Sequence, residues 1–147
     1  MTAAAILVAL LAVGAPRSTA PRVADAIAKY ARSPDEAFFL VAWGRRESDF
    51  EQRIIDHHCR RWECDRGRAI GAWQMWPGAA GKDWARLPGD LDLQAKHAAS
   101  MARWAMHACP GDSVRGGFRV LAGLGCDRPL IDENVRISLF EKARAAR

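Results

Sequence analysis

The chain has 147 residues, of which 50% are hydrophobic and 27% are charged, with a formal net charge of +5. This composition fits one globular domain and is too apolar for a disordered chain. The mild basic excess lacks a dense Lys/Arg run, which argues against a dedicated nucleic-acid-binding protein. The sequence also lacks the run of about 20 apolar residues that predicts a membrane span.

The chain begins with an uncharged apolar run over residues 3–15. Its length and the small residues after it are typical of a secretory leader, so residues 1–20 are predicted to be a signal peptide or an N-terminal apolar segment. The alternative is a buried N-terminal helix. Two features are unlike a typical leader: no Lys or Arg precedes the run, and Pro16 and Pro21 follow the small-residue cleavage sites. Residues 21–147 are expected to form a single domain.

Two helices are predicted next. Pro21 is suited to a first helical turn, and apolar residues at four-residue spacing continue the helix through Arg32. Ser33 is a candidate cap for the second helix, because a proline and two acidic residues follow it. Residues 38–43 of that helix are apolar on nearly every side, which predicts that it is buried.

The remainder is predicted as an irregular arm followed by three helices. Glycine and proline interrupt residues 51–90 repeatedly. Asp90 is a candidate cap for a helix that extends to about His107, a short helix is expected around residues 118–121, and Asp132 is a candidate cap for the last helix. The expected fold class is mainly α, with about five helices around one buried helix.

The four cysteines form an even set that allows three pairings. Cys59–Cys64 and Cys109–Cys126 are favoured because the partners are close in sequence and flank loop-like stretches. The second pair encloses sixteen residues, and such a bond stabilises a fold by roughly 3 kcal/mol. Disulfides need an oxidising compartment, so the sequence predicts export to the periplasm or the extracellular space. The alternative is four buried thiols in a cytosolic protein.

Glu47 is the candidate catalytic residue. It follows the apolar helix directly, at the point where that helix meets the irregular arm. A carboxyl group between apolar walls keeps its proton more readily, as a general acid at neutral pH requires. The alternative is an ordinary ion pair at a helix end with Arg45, Arg46 or Arg53.

A second motif follows at a distance. Glu47-Ser48 is succeeded by Gly71-Ala72-Trp73-Gln74 and then by Pro77. This combination resembles the soluble lytic transglycosylase and goose-type lysozyme superfamily, in which a Glu-Ser pair ends a buried helix and a Gly-x-x-Gln segment precedes a proline. The resemblance implies a lysozyme-like fold with an irregular or small β arm.

The resemblance also implies a reaction. Glu47 corresponds to the family's catalytic acid, Ser48 to a serine that steadies the fold around it, and Gln74 to a substrate-binding amide. The implied substrate is the β-1,4 bond between N-acetylmuramic acid and N-acetylglucosamine in peptidoglycan. Cleavage in this family requires no cofactor or metal, and we expect a monomer that binds peptidoglycan strands.

Two tryptophans beside the motif are further candidates for substrate binding. Trp73 and Trp76 could stack on sugar rings, although plain core packing explains tryptophan equally well. With Ser48 and Gln74 they complete the predicted binding set around Glu47.

Two features bear on the type of reaction. A glycoside hydrolase uses two carboxylates, and Asp49, Asp56 and Asp65 are the nearby candidates for the second. A lytic transglycosylase of the resembled family needs only one. The family's further motif, which contains a tyrosine near the catalytic acid, has no counterpart in residues 120–126, and the only tyrosine is Tyr30.

Two alternative functions stay open at this point. His57, His58, Cys59 and Cys64 could bind zinc, although their spacing is unlike the two separated pairs of most structural sites. The missing tyrosine motif instead favours a catalytically silent glycan-binding protein with the same fold.

Overall fold

A computed structural model describes residues 1–60 and 62–146. This part of the chain is 65% helical and has no strands, so the predicted mainly α class is confirmed. The lysozyme-like arrangement stays a prediction. The helices follow one another as α1 (Ala3–Ala12), α2 (Ala20–Tyr30), α3 (Pro34–Ser48), α4 (Gln52–Ile55), α5 (Cys64–Gly67), α6 (Pro77–Ala80), a 3₁₀ helix (Gly81–Arg86), α7 (Leu91–Ala108), α8 (Ser113–Leu121) and α9 (Glu133–Ala145).

Helix α3 is the buried helix of the fold. The Ser33 hydroxyl accepts a hydrogen bond from the Glu36 amide and so caps the helix as predicted. Residues 37–44 are all buried. Helices α1, α7 and α9 pack against α3, and this burial is the main source of its stability because helix propensity alone contributes little.

The apolar N-terminal run forms α1 and belongs to the core. Ile6, Ala9 and Leu10 are fully buried, and α1 packs against α2, α3 and α9. The Arg45 side chain donates a hydrogen bond to the carbonyl of Val13, which ties the end of α1 to α3. No helix of the described residues is long and apolar enough to cross a membrane.

Residues 49–60 and 62–90 form the irregular arm. Its only pairing of extended backbone within the described residues is a single antiparallel bridge between Ile70 and Met75. The small β element is thus reduced to one tight turn. Helix α8 begins at Ser113, earlier than expected from the apolar residues 118–121, because the Asp112 carboxylate accepts from the Arg115 amide and caps it.

Candidate active site

Glu47 lies in the last turn of α3 and lines an open groove of about 550 Å³. Trp43, one turn earlier on the same helix face, also lines it. The remaining lining residues come from the arm (Gln74, Met75, Trp76, Gly78 and Ala79), from α7 (Met101) and from the end of α8 (Leu121, Ala122 and Gly123). The groove therefore brings Glu47 together with Gln74 and Trp76.

Two buried contacts hold the arm against the end of α3. The Ser48 hydroxyl lies 2.6 Å from the carbonyl oxygen of Ala72 and 3.1 Å from that of Gly44, and it accepts from the Phe50 amide. The Trp73 indole N–H donates to the carbonyl of Leu40. These contacts fix the turn that carries Gln74 relative to the helix that carries Glu47.

The structure corrects the expected roles of two residues. Ser48 is 3% exposed and Trp73 is fully buried, and neither side chain lines the groove. Trp73 packs edge-on against Phe50, with ring centroids 6.1 Å apart. Trp73 therefore packs in the core, and Ser48 joins the end of α3 to the arm.

The turn at residue 71 requires a glycine. Gly71 has a φ of 82°, and a Cβ atom there would lie 2.4 Å from the side chain of Gln94. Gln94 is fully buried, accepts from the Ala72 amide and donates to the carbonyls of Ile55 and Leu87. The Gln94 side chain therefore holds three segments of the arm together from its buried side, a role that the sequence did not reveal.

Gln74 and Trp76 keep access to the groove. Gln74 is half-buried, and its side-chain amide donates to the carbonyl of Gly71 at 2.9 Å and to the sulfur of Cys64 at 3.4 Å. Trp76 is 50% exposed, and the guanidinium of Arg68 lies over its ring at 5.2 Å. An amide and an exposed indole in one groove suit hydroxyl groups and the faces of sugar rings.

Arg136 is the site residue that the sequence analysis missed. Its Nη1 atom lies 2.8 Å from Oε1 of Glu47, its Nε atom donates to Asp132 at 3.0 Å, and its guanidinium lies over the Phe118 ring. Burial lowers the pKa of Arg136, but the hydrogen bond with Asp132 and the charge of Glu47 outweigh burial and raise it. The sequence did contain one sign of this arrangement. Arg136 follows Asp132 by four residues, a spacing at which two side chains meet on the surface of a helix.

This arrangement changes the expected surroundings of Glu47. Its side chain is 26% exposed and faces the mostly buried guanidinium of Arg136 as well as the apolar lining of the groove. None of the three predicted ion-pair partners engages it in the described chain: Arg45 pairs with Asp49, Arg46 with Asp132, and Arg53 with Glu51 and Glu63. Glu47 is thus held by a partner from α9.

The three aspartates proposed as a second carboxylate do not line the groove. Asp49 pairs with Arg45, Asp56 accepts from Gln52, and Asp65 pairs with Arg68. Among the described lining residues, Glu47 is the one carboxylate. The segment that lacks the tyrosine motif does reach the groove, through Leu121, Ala122 and Gly123.

Both favoured disulfides are present, Cys59–Cys64 and Cys109–Cys126. His57, Cys59 and Cys64 also bring their donor atoms within 4.8 Å of one another. Metals bind thiolates, however, and these two sulfurs are bonded to each other. The structure therefore favours the disulfide interpretation over the zinc interpretation.

Comparisons of the chain with protein-family models, with curated proteins and with solved structures give no match.

Proposed function

We propose that this protein cleaves peptidoglycan at the β-1,4 bond between N-acetylmuramic acid and N-acetylglucosamine, with Glu47 as general acid and base. The observation that carries the proposal is the groove in which the Glu47 carboxylate lies together with the amide of Gln74 and the exposed ring of Trp76. The order of these residues along the chain is that of the lytic transglycosylase resemblance.

The proposed mechanism has two steps. Protonated Glu47 donates its proton to the glycosidic oxygen, and the bond from this oxygen to the muramyl C1 breaks. The Glu47 carboxylate then accepts the proton of the 6-hydroxyl of the same muramyl residue while that oxygen attacks C1. The product is a 1,6-anhydro ring. This route needs one carboxylate, in keeping with the single one in the described lining, whereas hydrolysis by the two-carboxylate route needs a second.

Arg136 has a defined part in this scheme. Its guanidinium positions the side chain of Glu47 and stabilises the carboxylate that forms after the first proton transfer. Because this ion pair favours the charged form of Glu47, the first step requires that Glu47 take up a proton beside Arg136. General acid catalysis typically contributes 10²–10⁴-fold to a rate, and misplacement of a reacting group by about 1 Å can cost 10²-fold. The orientation of Glu47 therefore contributes to the rate in addition to its presence.

The experiment is mass spectrometry of the fragments released from purified peptidoglycan. We expect anhydro-muramyl ends, which are one water lighter than reducing ends, from the wild-type protein and none from the Glu47→Gln variant. Glu141→Gln, which removes an exposed carboxylate from α9, is the matched control and should cleave normally. Unchanged cleavage by Glu47→Gln would refute the proposal, and reducing ends would indicate hydrolysis instead.

A catalytically silent glycan-binding protein is the second candidate. The observation that favours it is the groove segment of Leu121, Ala122 and Gly123, which offers no side-chain hydroxyl beside Glu47. This function predicts binding of glycan strands by the folded wild-type protein without any released fragment.

A further inference from the structure

A second surface lies beside the groove. It is formed by residues 59–60 and 62–68, called the cysteine loop below, and the Cys59–Cys64 disulfide links two of its residues. Trp62 is 75% exposed there, which is unusual for so large an apolar side chain. It lines an opening of about 640 Å³ together with Arg60 and Arg66.

The charges of this loop leave two guanidinium groups available. Glu63 already pairs with Arg53 and accepts from the Arg60 amide, and these hydrogen bonds, the one from Arg53 foremost, lower the pKa of Glu63 to about 2. Asp65 pairs with Arg68. In the part of the chain that the structure describes, no carboxylate lies within 4.0 Å of the Arg60 or Arg66 guanidinium group.

Two contacts join the cysteine loop to the groove. The amide of Gln74, a groove residue, donates to the sulfur of Cys64 at 3.4 Å. Arg68 lies over the ring of Trp76, also a groove residue, at 5.2 Å. The cysteine loop therefore lies next to the Gln74 and Trp76 side of the groove.

We propose that the cysteine loop binds the acidic stem peptide of the peptidoglycan strand whose sugars occupy the groove. The Arg60 and Arg66 guanidinium groups receive the free carboxylates of the stem, and Trp62 packs against the apolar part of the peptide. This inference rests on the proposed function. It makes the protein selective for strands that carry charged stem peptides over bare or amidated glycan.

The test measures binding in the Glu47→Gln background, where the substrate is not consumed. One probe is peptidoglycan strands whose cross-links have been cut by an endopeptidase. The other is the same strands after carbodiimide coupling to ammonia, which turns the stem carboxylates into amides. Adding Arg60→Gln and Arg66→Gln should weaken binding of the first probe roughly tenfold and leave binding of the second unchanged.

Two controls separate charge from damage to the fold. The first control combines Arg32→Gln with Arg144→Gln, which removes the same amount of charge at two exposed positions. Both positions lie near the start of α3, because Arg144 is one turn beyond Phe140, which packs on Phe38. This pair should bind both probes as the parent does. Arg60→Lys with Arg66→Lys should retain most of the preference for charged strands, and all variants should keep the parent's unfolding midpoint.

The outcomes distinguish the two proposals. Equal weakening of both probes by the glutamine pair, or weakening of neither, would overturn the role of the cysteine loop while the groove keeps its proposed substrate. Failure of the parent to bind either probe would overturn the proposed function itself, and the inference about the loop with it.

Discussion

Arg136 forms an ion pair with Glu47, with 2.8 Å between Nη1 and Oε1, and so joins the last helix to the end of the buried helix. The arginine side chain is only 11% exposed and is oriented by Asp132, which in turn pairs with Arg46. Burial raises the pKa of Asp132, but the hydrogen bond with Arg136 and the charge of Arg46 keep it below its usual value. The candidate acid is thus held by a chain of charged groups.

Replacement of Arg136 should impair cleavage more than substrate binding. We expect Arg136→Met to lower kcat roughly 10²-fold with little change in KM, because Glu47 loses the group that orients it. Arg136→Lys should recover part of the loss. The measurement is the rate of fragment release against peptidoglycan concentration.

Arg46→Met is the matched control for this prediction. Arg46 contacts the same Asp132 but not Glu47, so its loss should affect kcat by much less. Equal losses in both variants would mean that Arg136 acts only by stabilising α9.

Removal of the Ser48 hydroxyl should destabilise the site. In Ser48→Ala the buried carbonyl of Ala72 and the amide of Phe50 lose a hydrogen-bond partner, which costs about 1–3 kcal/mol. Urea unfolding measures this loss. Ser18→Ala, at an exposed position, should change the free energy of unfolding by less than about 0.5 kcal/mol, and an equally small effect at Ser48 would contradict its role as a tie between α3 and the arm.

The N-terminal helix offers a pair of adjacent leucines as a test of its place in the core. Leu10 is fully buried and Leu11 is 42% exposed. Leu10→Ala should therefore cost about 2–5 kcal/mol, and Leu11→Ala should cost far less. Thermal or urea unfolding of both variants gives the answer. Similar small effects would mean that α1 contributes little to the fold of this chain.

The stability of the start of α9 should depend on pH through Glu133. Its side chain is buried and paired with Arg115 and Arg119. The hydrogen bond from Arg119, which outweighs burial and is supported by Arg115, lowers the pKa of Glu133 from 4.5 to about 2. Because the pKa is lower in the folded state, this contribution is fully present above the unfolded value and is lost as pH falls from about 5 toward 2.

The matching experiment compares Glu133→Gln with the wild-type protein. At pH 7 the variant should be less stable by about 2 kcal/mol, since hydrogen bonds to charged groups contribute about 1.5–3 kcal/mol. At pH 3 the difference in free energy of unfolding between the two proteins should be smaller, because Glu133 has begun to lose its stabilising charge. A constant difference across this range would show that the carboxylate charge of Glu133 is not the source of the stability.

The sequence determined the local structure of this protein. Capping residues and apolar spacing are properties of neighbouring residues, and they located the starts of α3, α7 and α9 correctly. At α9, however, the Asp132 side chain does not cap the helix and pairs with Arg136 instead. Close spacing in sequence also gave both disulfides, because short loops close at low entropic cost. Glu47 and Gln74 were identified as candidates by their motifs, and both line the groove.

Only the tertiary structure decided which candidates share the groove and what surrounds them. Trp73 and Trp76 look alike in the sequence, yet the tight turn between Ile70 and Met75 directs one into the core and leaves the other exposed. Arg136 reaches Glu47 because α9 packs against α3, a contact between segments far apart in the chain. Such pairings depend on how helix faces pack together, and local propensity does not predict them.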